Sequence, residues 1–130
     1  MVGALIAVFT AWVLVPDGKV ETANFDGKAL SVLLAEFLFT FALVWTVLHT
    51  ATAKGTAGNS FYGLSIGGIV LVGAFTVGSI SLGAFNPAVT TGLALIGKLP
   101  LAMLAAYVAT QLVAGVVAAV AFKALAGEQD

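Results

Sequence analysis

The chain has 130 residues, of which 61% are hydrophobic and 8% are charged, with a mean hydropathy of +1.13. A soluble domain is about half apolar and about one quarter charged, so a soluble α-helical domain of this length could not bury so much apolar surface. The chain has no cysteine and one histidine, which argues against disulfides and against thiolate or imidazole metal sites. With a net charge of −1, the chain lacks the excess of positive charge that is typical of proteins that bind nucleic acid.

The order of apolar segments predicts an all-α membrane protein. Residues 1–15 are apolar but reach only about 22 Å as a helix, against ~30 Å of hydrocarbon, so we interpret them as the truncated end of a spanning helix. Residues 16–28, with three acids and two lysines, predict a polar loop. Residues 29–126 then form one unit, with spans at about 29–50, 60–78 and 101–125 and a re-entrant half-helix at 86–96.

The half-helix begins at an Asn-Pro pair, Asn86 and Pro87. Asn is a favoured N-cap, and Pro fits the first helical position. About eleven residues are too few to cross a bilayer, so the segment must be buried in protein or line a water-filled cavity. Its N-terminus carries roughly +0.5 charge and would repel cations and protons at mid-membrane, while the Asn86 carboxamide can donate hydrogen bonds. The alternative is an ordinary N-cap on a surface helix.

The segment GAFNPAVT (83–90), preceded by NSFYGLSIGGIVLVGAFTVGSIS (59–81) and by LLAEFLFTFALVW (33–45), resembles the aquaporin, or major intrinsic protein, family. The Asn-Pro-Ala box of Asn86, Pro87 and Ala88 and the Ala-Glu-Phe opening of a span carry the resemblance. It implies a six-span channel of two inverted repeats that passes water, glycerol or other small neutral solutes, usually as a tetramer and without a cofactor. The chain has one box and is most similar to the second repeat, although some of its residues are also common in the first.

The resemblance also assigns roles to single residues. Glu36, the only acid inside a span, would accept hydrogen bonds from the backbone of the re-entrant loop; an ion relay is the alternative. Val89 stands where the family usually has arginine, and Ala74 and Gly83 occupy the other constriction positions of this repeat. The chain has no arginine, so we expect a wider and less polar constriction. The alternative for Val89 is packing against lipid or a neighbouring element.

Small residues and aromatic residues predict how the spans pack. Gly63 and Gly67 form a pair four residues apart, which favours close helix crossing. A second series of small residues in the last span has the same spacing: Ala102, Ala106, Thr110, Ala114 and Ala118. Four aromatic residues near span ends are interpreted as interface anchors: Trp12, Trp45, Tyr62 and Tyr107.

Two hypotheses for function stay open. The first is a multi-pass channel of a cell membrane for water or small neutral solutes, in contact with lipid and assembled as a homo-oligomer. The second is a non-conducting fragment or half-channel, which would need a complementary half or an inverted second copy, because a complete pore needs two half-helices. An enzyme is not expected, since the sequence offers no paired carboxylates, no nucleophile with its base and no metal-ligand set.

Overall fold

The computed structural model describes residues 1–15 and 20–126, and all regular structure in them is helical. The predicted loop at 16–28 is therefore described only from residue 20, and residues 127–130 lie outside the described residues. The helical structure of the described residues confirms the predicted all-α class. The α-helices, in chain order, are α1 (Val2–Leu14), α2 (Ala29–Ala51), α3 (Tyr62–Ser81), α4 (Pro87–Leu95) and α5 (Leu101–Ala126), and a short 3-10 helix (Lys54–Thr56) lies between α2 and α3.

Three of these helices are long and apolar enough to cross a membrane. α2, α3 and α5 contain 23, 20 and 26 residues, and their most apolar windows have mean hydropathies of 2.1, 1.9 and 2.0. α1 has 13 residues, and α4 has nine, which is about 14 Å of helix. α3 extends to Ser81 rather than ending near residue 78, and Leu82 in the left-handed region ends it.

The helices form two packed groups that share α5. α2 packs against both α3 and α5, whereas the short helix α4 packs between α5 and α1. Ala114 and Ala118 on α5 are fully buried, so the C-terminal part of the small-residue series lies in a helix crossing, while Ala102 at its start is exposed. The half-helix is therefore held along both sides within the bundle.

The prediction for Gly63 and Gly67 is wrong within the described chain. Both residues are exposed, and a Cβ built on either would meet no atom within 4 Å. The reason is that the buried residues of α3 lie in its C-terminal half, at Gly73, Val77 and Ser81, whereas Gly63 and Gly67 lie in its first two turns.

The segment before α2 is tied to the turn that follows the half-helix. The Ala23 amide donates to the Lys98 carbonyl oxygen at 2.9 Å, and the Thr22 hydroxyl donates to the Gly97 carbonyl oxygen at 2.7 Å. The Phe25 ring then stacks on Tyr107 of α5, with centroids 6.2 Å apart. The C-terminal end of α4 is thus fixed by residues from outside the predicted spans.

Candidate functional site

The half-helix α4 begins at a complete N-cap. Asn86 has extended backbone angles, and its Oδ1 accepts hydrogen bonds from the amides of Ala88 (2.8 Å) and Val89 (3.2 Å). Pro87 follows at the first helical position, where no amide hydrogen is needed. Because Oδ1 serves the cap, the exposed carboxamide presents its Nδ2 donor group at the start of the helix.

The loop that leads into this cap has an unusual backbone. Leu82, Gly83 and Phe85 all have positive φ angles, of 69°, 63° and 52°. Glycine adopts this region freely, but each non-glycine residue there costs roughly 1–2 kcal/mol. Leu82 and Phe85 therefore keep this conformation only because surrounding groups hold it.

The Glu36 carboxylate is the main group that holds the loop. It is fully buried in α2. Its Oε1 accepts hydrogen bonds from the Ala84 amide (3.0 Å) and the Ser81 hydroxyl (2.7 Å), and its Oε2 accepts one from the Phe85 amide (2.7 Å). A buried carboxylate is stable only when its oxygens are hydrogen-bonded in this way. The hydrogen bonds join Glu36 to the re-entrant loop, which is the contact that the resemblance implied.

A polar network extends from Glu36 to the half-helix. The Gln111 side-chain amide on α5 donates to Glu36 Oε2 at 2.8 Å and contacts the Thr90 hydroxyl. Thr90 lies in the first turn of α4, and its hydroxyl lies 3.0 Å from the Asn86 carbonyl oxygen. Neither residue was predicted from the sequence, although a glutamine in the middle of an apolar span is a detectable signal.

The assignment of Tyr107 as an interface anchor is wrong. Its side chain is fully buried, and its hydroxyl donates to the Ser81 carbonyl oxygen at 2.7 Å. Ser81 is the last residue of α3, so its carbonyl has no helical partner and needs a donor from elsewhere. Tyr107 is therefore part of the support of the re-entrant loop rather than a contact with the membrane surface.

The three expected constriction residues occupy two places. A Cβ built on Gly83 would lie 3.6 Å from the Ala74 Cα, so these two residues are neighbours. Val89 is 44% exposed and lines a cavity of about 480 Å³ between α1 and α4, together with Ala88, Gly92 and residues of α1. All three positions present small or apolar groups to open space or to the loop.

Comparison with known proteins agrees with this architecture. The family model described as Major intrinsic protein matches residues 19–129. The chain belongs to this family. The match confirms the expectations of a multi-pass membrane protein that is not an enzyme, since members of the family are channels.

Curated relatives of this family align with most of the chain. A glycerol uptake facilitator protein-like 6 from Lactiplantibacillus plantarum is 41% identical over 69% of the chain and 41% of the relative. Aquaporin NIP1-4 from Oryza sativa subsp. japonica is 36% identical over 75% of the chain and 37% of the relative. Aquaporin Z from Brucella melitensis biotype 1 is 39% identical over 78% and 46%. The chain thus spans less than half the length of these relatives, and no solved structure matches it significantly.

Proposed function

We propose that the chain contributes to a passive membrane channel for water and small neutral solutes such as glycerol. The observation that carries the proposal is the short helix α4, which is capped by Asn86 and preceded by a loop that a buried carboxylate holds, among three helices long enough to span a membrane. A half-helix of nine residues inside a membrane needs a polar or water-filled space at its open end. The names of the relatives, two aquaporins and a glycerol uptake facilitator-like protein, support this class of solute.

Exclusion of cations and protons would come from the N-terminus of α4. The aligned peptide dipoles give this end roughly +0.5 charge, and the effect is strongest where water does not screen it. The Nδ2 group of Asn86 is a neutral donor, so it can bind the oxygen of water or of an alcohol without attracting a cation. Neutral hydroxyl compounds would pass this point, while cations would be repelled.

The solute range would be set in part by Ala74, Gly83 and Val89. None of them carries a charge, and Val89 replaces the arginine that the resemblance leads one to expect. A constriction without a fixed cation is less polar and wider than one that contains arginine. We infer that this half of the pore admits solutes larger than water, in the size range of glycerol.

The exposed apolar side chains of the helices favour contact with lipid or with further copies of the chain. α3 exposes large apolar side chains, among them Leu64 at 80% and Phe75 at 85% exposure. Such side chains face either hydrocarbon or another apolar helix in a membrane. We propose that copies associate through apolar surfaces of this kind, as the tetramer implied by the family resemblance would.

A second candidate is a half-channel that conducts only with a complementary half. Asn-Pro occurs once in the chain, and the alignments cover 37–46% of the relatives. A pore lined by two half-helices would then need a second polypeptide segment or a second copy in the opposite orientation.

The test is osmotic shrinkage of proteoliposomes, measured by stopped-flow light scattering with water and with glycerol. Asn86→Asp is the informative variant, because Asp keeps the N-cap but removes the Nδ2 donor and adds a negative charge. We expect permeability above the lipid background for the wild type, and lower glycerol flux with a higher proton leak for Asn86→Asp. If the wild type alone shows only the background permeability of the lipid, the segment of the Brucella relative that the alignment leaves uncovered is added. Permeability that then rises above the background would favour the half-channel. Permeability that stays at the background would contradict both functions.

A further inference from the structure

A glycine on α3 accommodates the aromatic ring that precedes the Asn86 cap. A Cβ built on Gly73 would lie 2.6 Å from Phe85 Cε2 and 2.8 Å from Phe85 Cζ, with Phe39 Cδ1 also at 2.8 Å. Real Cβ atoms essentially never make contacts under 3.0 Å, so any larger residue at position 73 must displace a ring. Gly73 itself is buried and has no positive φ, so the glycine is required by the close contact and not by backbone conformation.

Of the two rings, Phe85 is the more deeply buried. It is 3% exposed, whereas Phe39 is only partly buried. The two rings stack with centroids 5.4 Å apart, so Phe85 lies between α2 and the Gly73 surface of α3. We call this arrangement of Gly73, Phe39 and Phe85 the aromatic slot.

The aromatic slot acts on the backbone that leads into α4. Phe85 has a φ of 52°, and its amide donates to Glu36 Oε2 at 2.7 Å. The Glu36 hydrogen bond fixes the amide of Phe85, and the slot fixes its side chain, so the residue is held at two points. Because Asn86 follows directly, displacement of the Phe85 ring rotates the peptide that carries the N-cap.

We propose that Gly73 is a positioning residue for the pore: through the Phe85 ring it sets the orientation of Asn86 and hence the discrimination between solutes. The part concerning solutes rests on the proposed channel function, while the part concerning the N-cap does not. Gly73 touches no solute in this scheme. Its effect is transmitted by the ring that it admits.

The experiment compares Gly73→Ala with Gly68→Ala in lipid nanodiscs and in proteoliposomes. Gly68 lies on the same helix, and a Cβ there meets no atom within 4 Å, so this variant controls for the added methyl group and for helix propensity. The double variant Gly73→Ala with Phe85→Leu tests rescue, because leucine lacks the Cε2 and Cζ atoms that the new Cβ would meet.

Two measurements separate the two levels of the proposal. Amide hydrogen exchange at Ala88 and Val89, whose amides bond to Asn86, should become at least about tenfold faster in Gly73→Ala, remain unchanged in Gly68→Ala and recover in the double variant. The glycerol-to-water permeability ratio should shift in the same pattern. Unchanged amide exchange in Gly73→Ala would overturn the proposal. So would faster exchange, or a failure to fold, that the added Phe85→Leu substitution does not relieve. The expected exchange pattern in a chain that conducts nothing would support the slot and count against the channel.

Discussion

Replacing Glu36 by glutamine should leave one backbone amide of the re-entrant loop without an acceptor. Each carboxylate oxygen accepts a hydrogen bond from one loop amide: Oε1 from Ala84 and Oε2 from Phe85. Glutamine has the same shape but only one oxygen, so its NH₂ group must face one of these two amides. The remaining donors can adapt, because Ser81 can rotate its hydroxyl and Gln111 can turn its side-chain amide.

The size of the effect follows from that one orphaned donor. An unsatisfied buried amide costs about 1–3 kcal/mol, and hydrogen bonds to a neutral acceptor are weaker than those to a carboxylate. We therefore expect Glu36→Gln to lower the free energy of unfolding by about 1–3 kcal/mol. Glu36→Ala orphans both amides, so we expect about twice that loss, and a cavity adds to it.

The assay is equilibrium unfolding in mixed micelles with increasing sodium dodecyl sulfate, followed by the fluorescence of Trp12 and Trp45. Glu21→Gln is the matched control, since Glu21 lies exposed in the segment before α2 and the same charge is removed there. Equal stability of the Glu36 and Glu21 variants would refute the reasoning. It would mean that the loop does not depend on two carboxylate oxygens.

Three further substitutions test separate parts of the structure by the same unfolding measurement. Tyr107→Phe keeps the ring but removes the donor to the Ser81 carbonyl, so we expect a loss of about 1–2 kcal/mol; no loss would contradict the role of the hydroxyl. Thr40→Val removes a buried hydroxyl with no hydrogen-bond partner among the described residues, so stability should be unchanged or higher, and a clear loss would reveal a missed partner. Gly97→Ala forces a Cβ onto a φ of +79° and should cost about 1–2 kcal/mol, whereas Gly55→Ala, with no such angle, should cost less.

Helix lengths and the half-helix were predictable because they depend on local signals. A run of some 20 apolar residues is sufficient to identify α2, α3 and α5, and the Asn-Pro pair marks the start of α4 within one residue. The importance of Glu36 followed from the high cost of an acid in a membrane. In each case the physical effect acts on one residue or one short segment.

Which helix faces meet was not predictable, and the reason is the solvent. In lipid the outer face of a helix is as apolar as its inner face, so apolar periodicity does not identify the packed side. Gly63 and Gly67 have the spacing of a helix crossing but lie on an exposed face, whereas Gly73, which stands outside that pair, makes the close contact. Tyr107 was misassigned because its place near a span end says nothing about the direction of its ring.

The central claim is that the N-terminus of α4 opens into a water-filled path. The chain has no cysteine, so single cysteines can be labelled without background. Val89→Cys reports on the first turn of α4. Phe75→Cys reports on the exposed apolar surface of α3, next to Ala74, which is a neighbour of Gly83 in the loop.

The most direct measurement is therefore the reaction of these two variants in liposomes with a small, charged, membrane-impermeant methanethiosulfonate reagent. The account predicts that Cys at position 89 reacts rapidly and is protected by excess glycerol, while Cys at position 75 does not react. An unreactive position 89, or equal reactivity at both positions, would contradict a water-filled path at the half-helix.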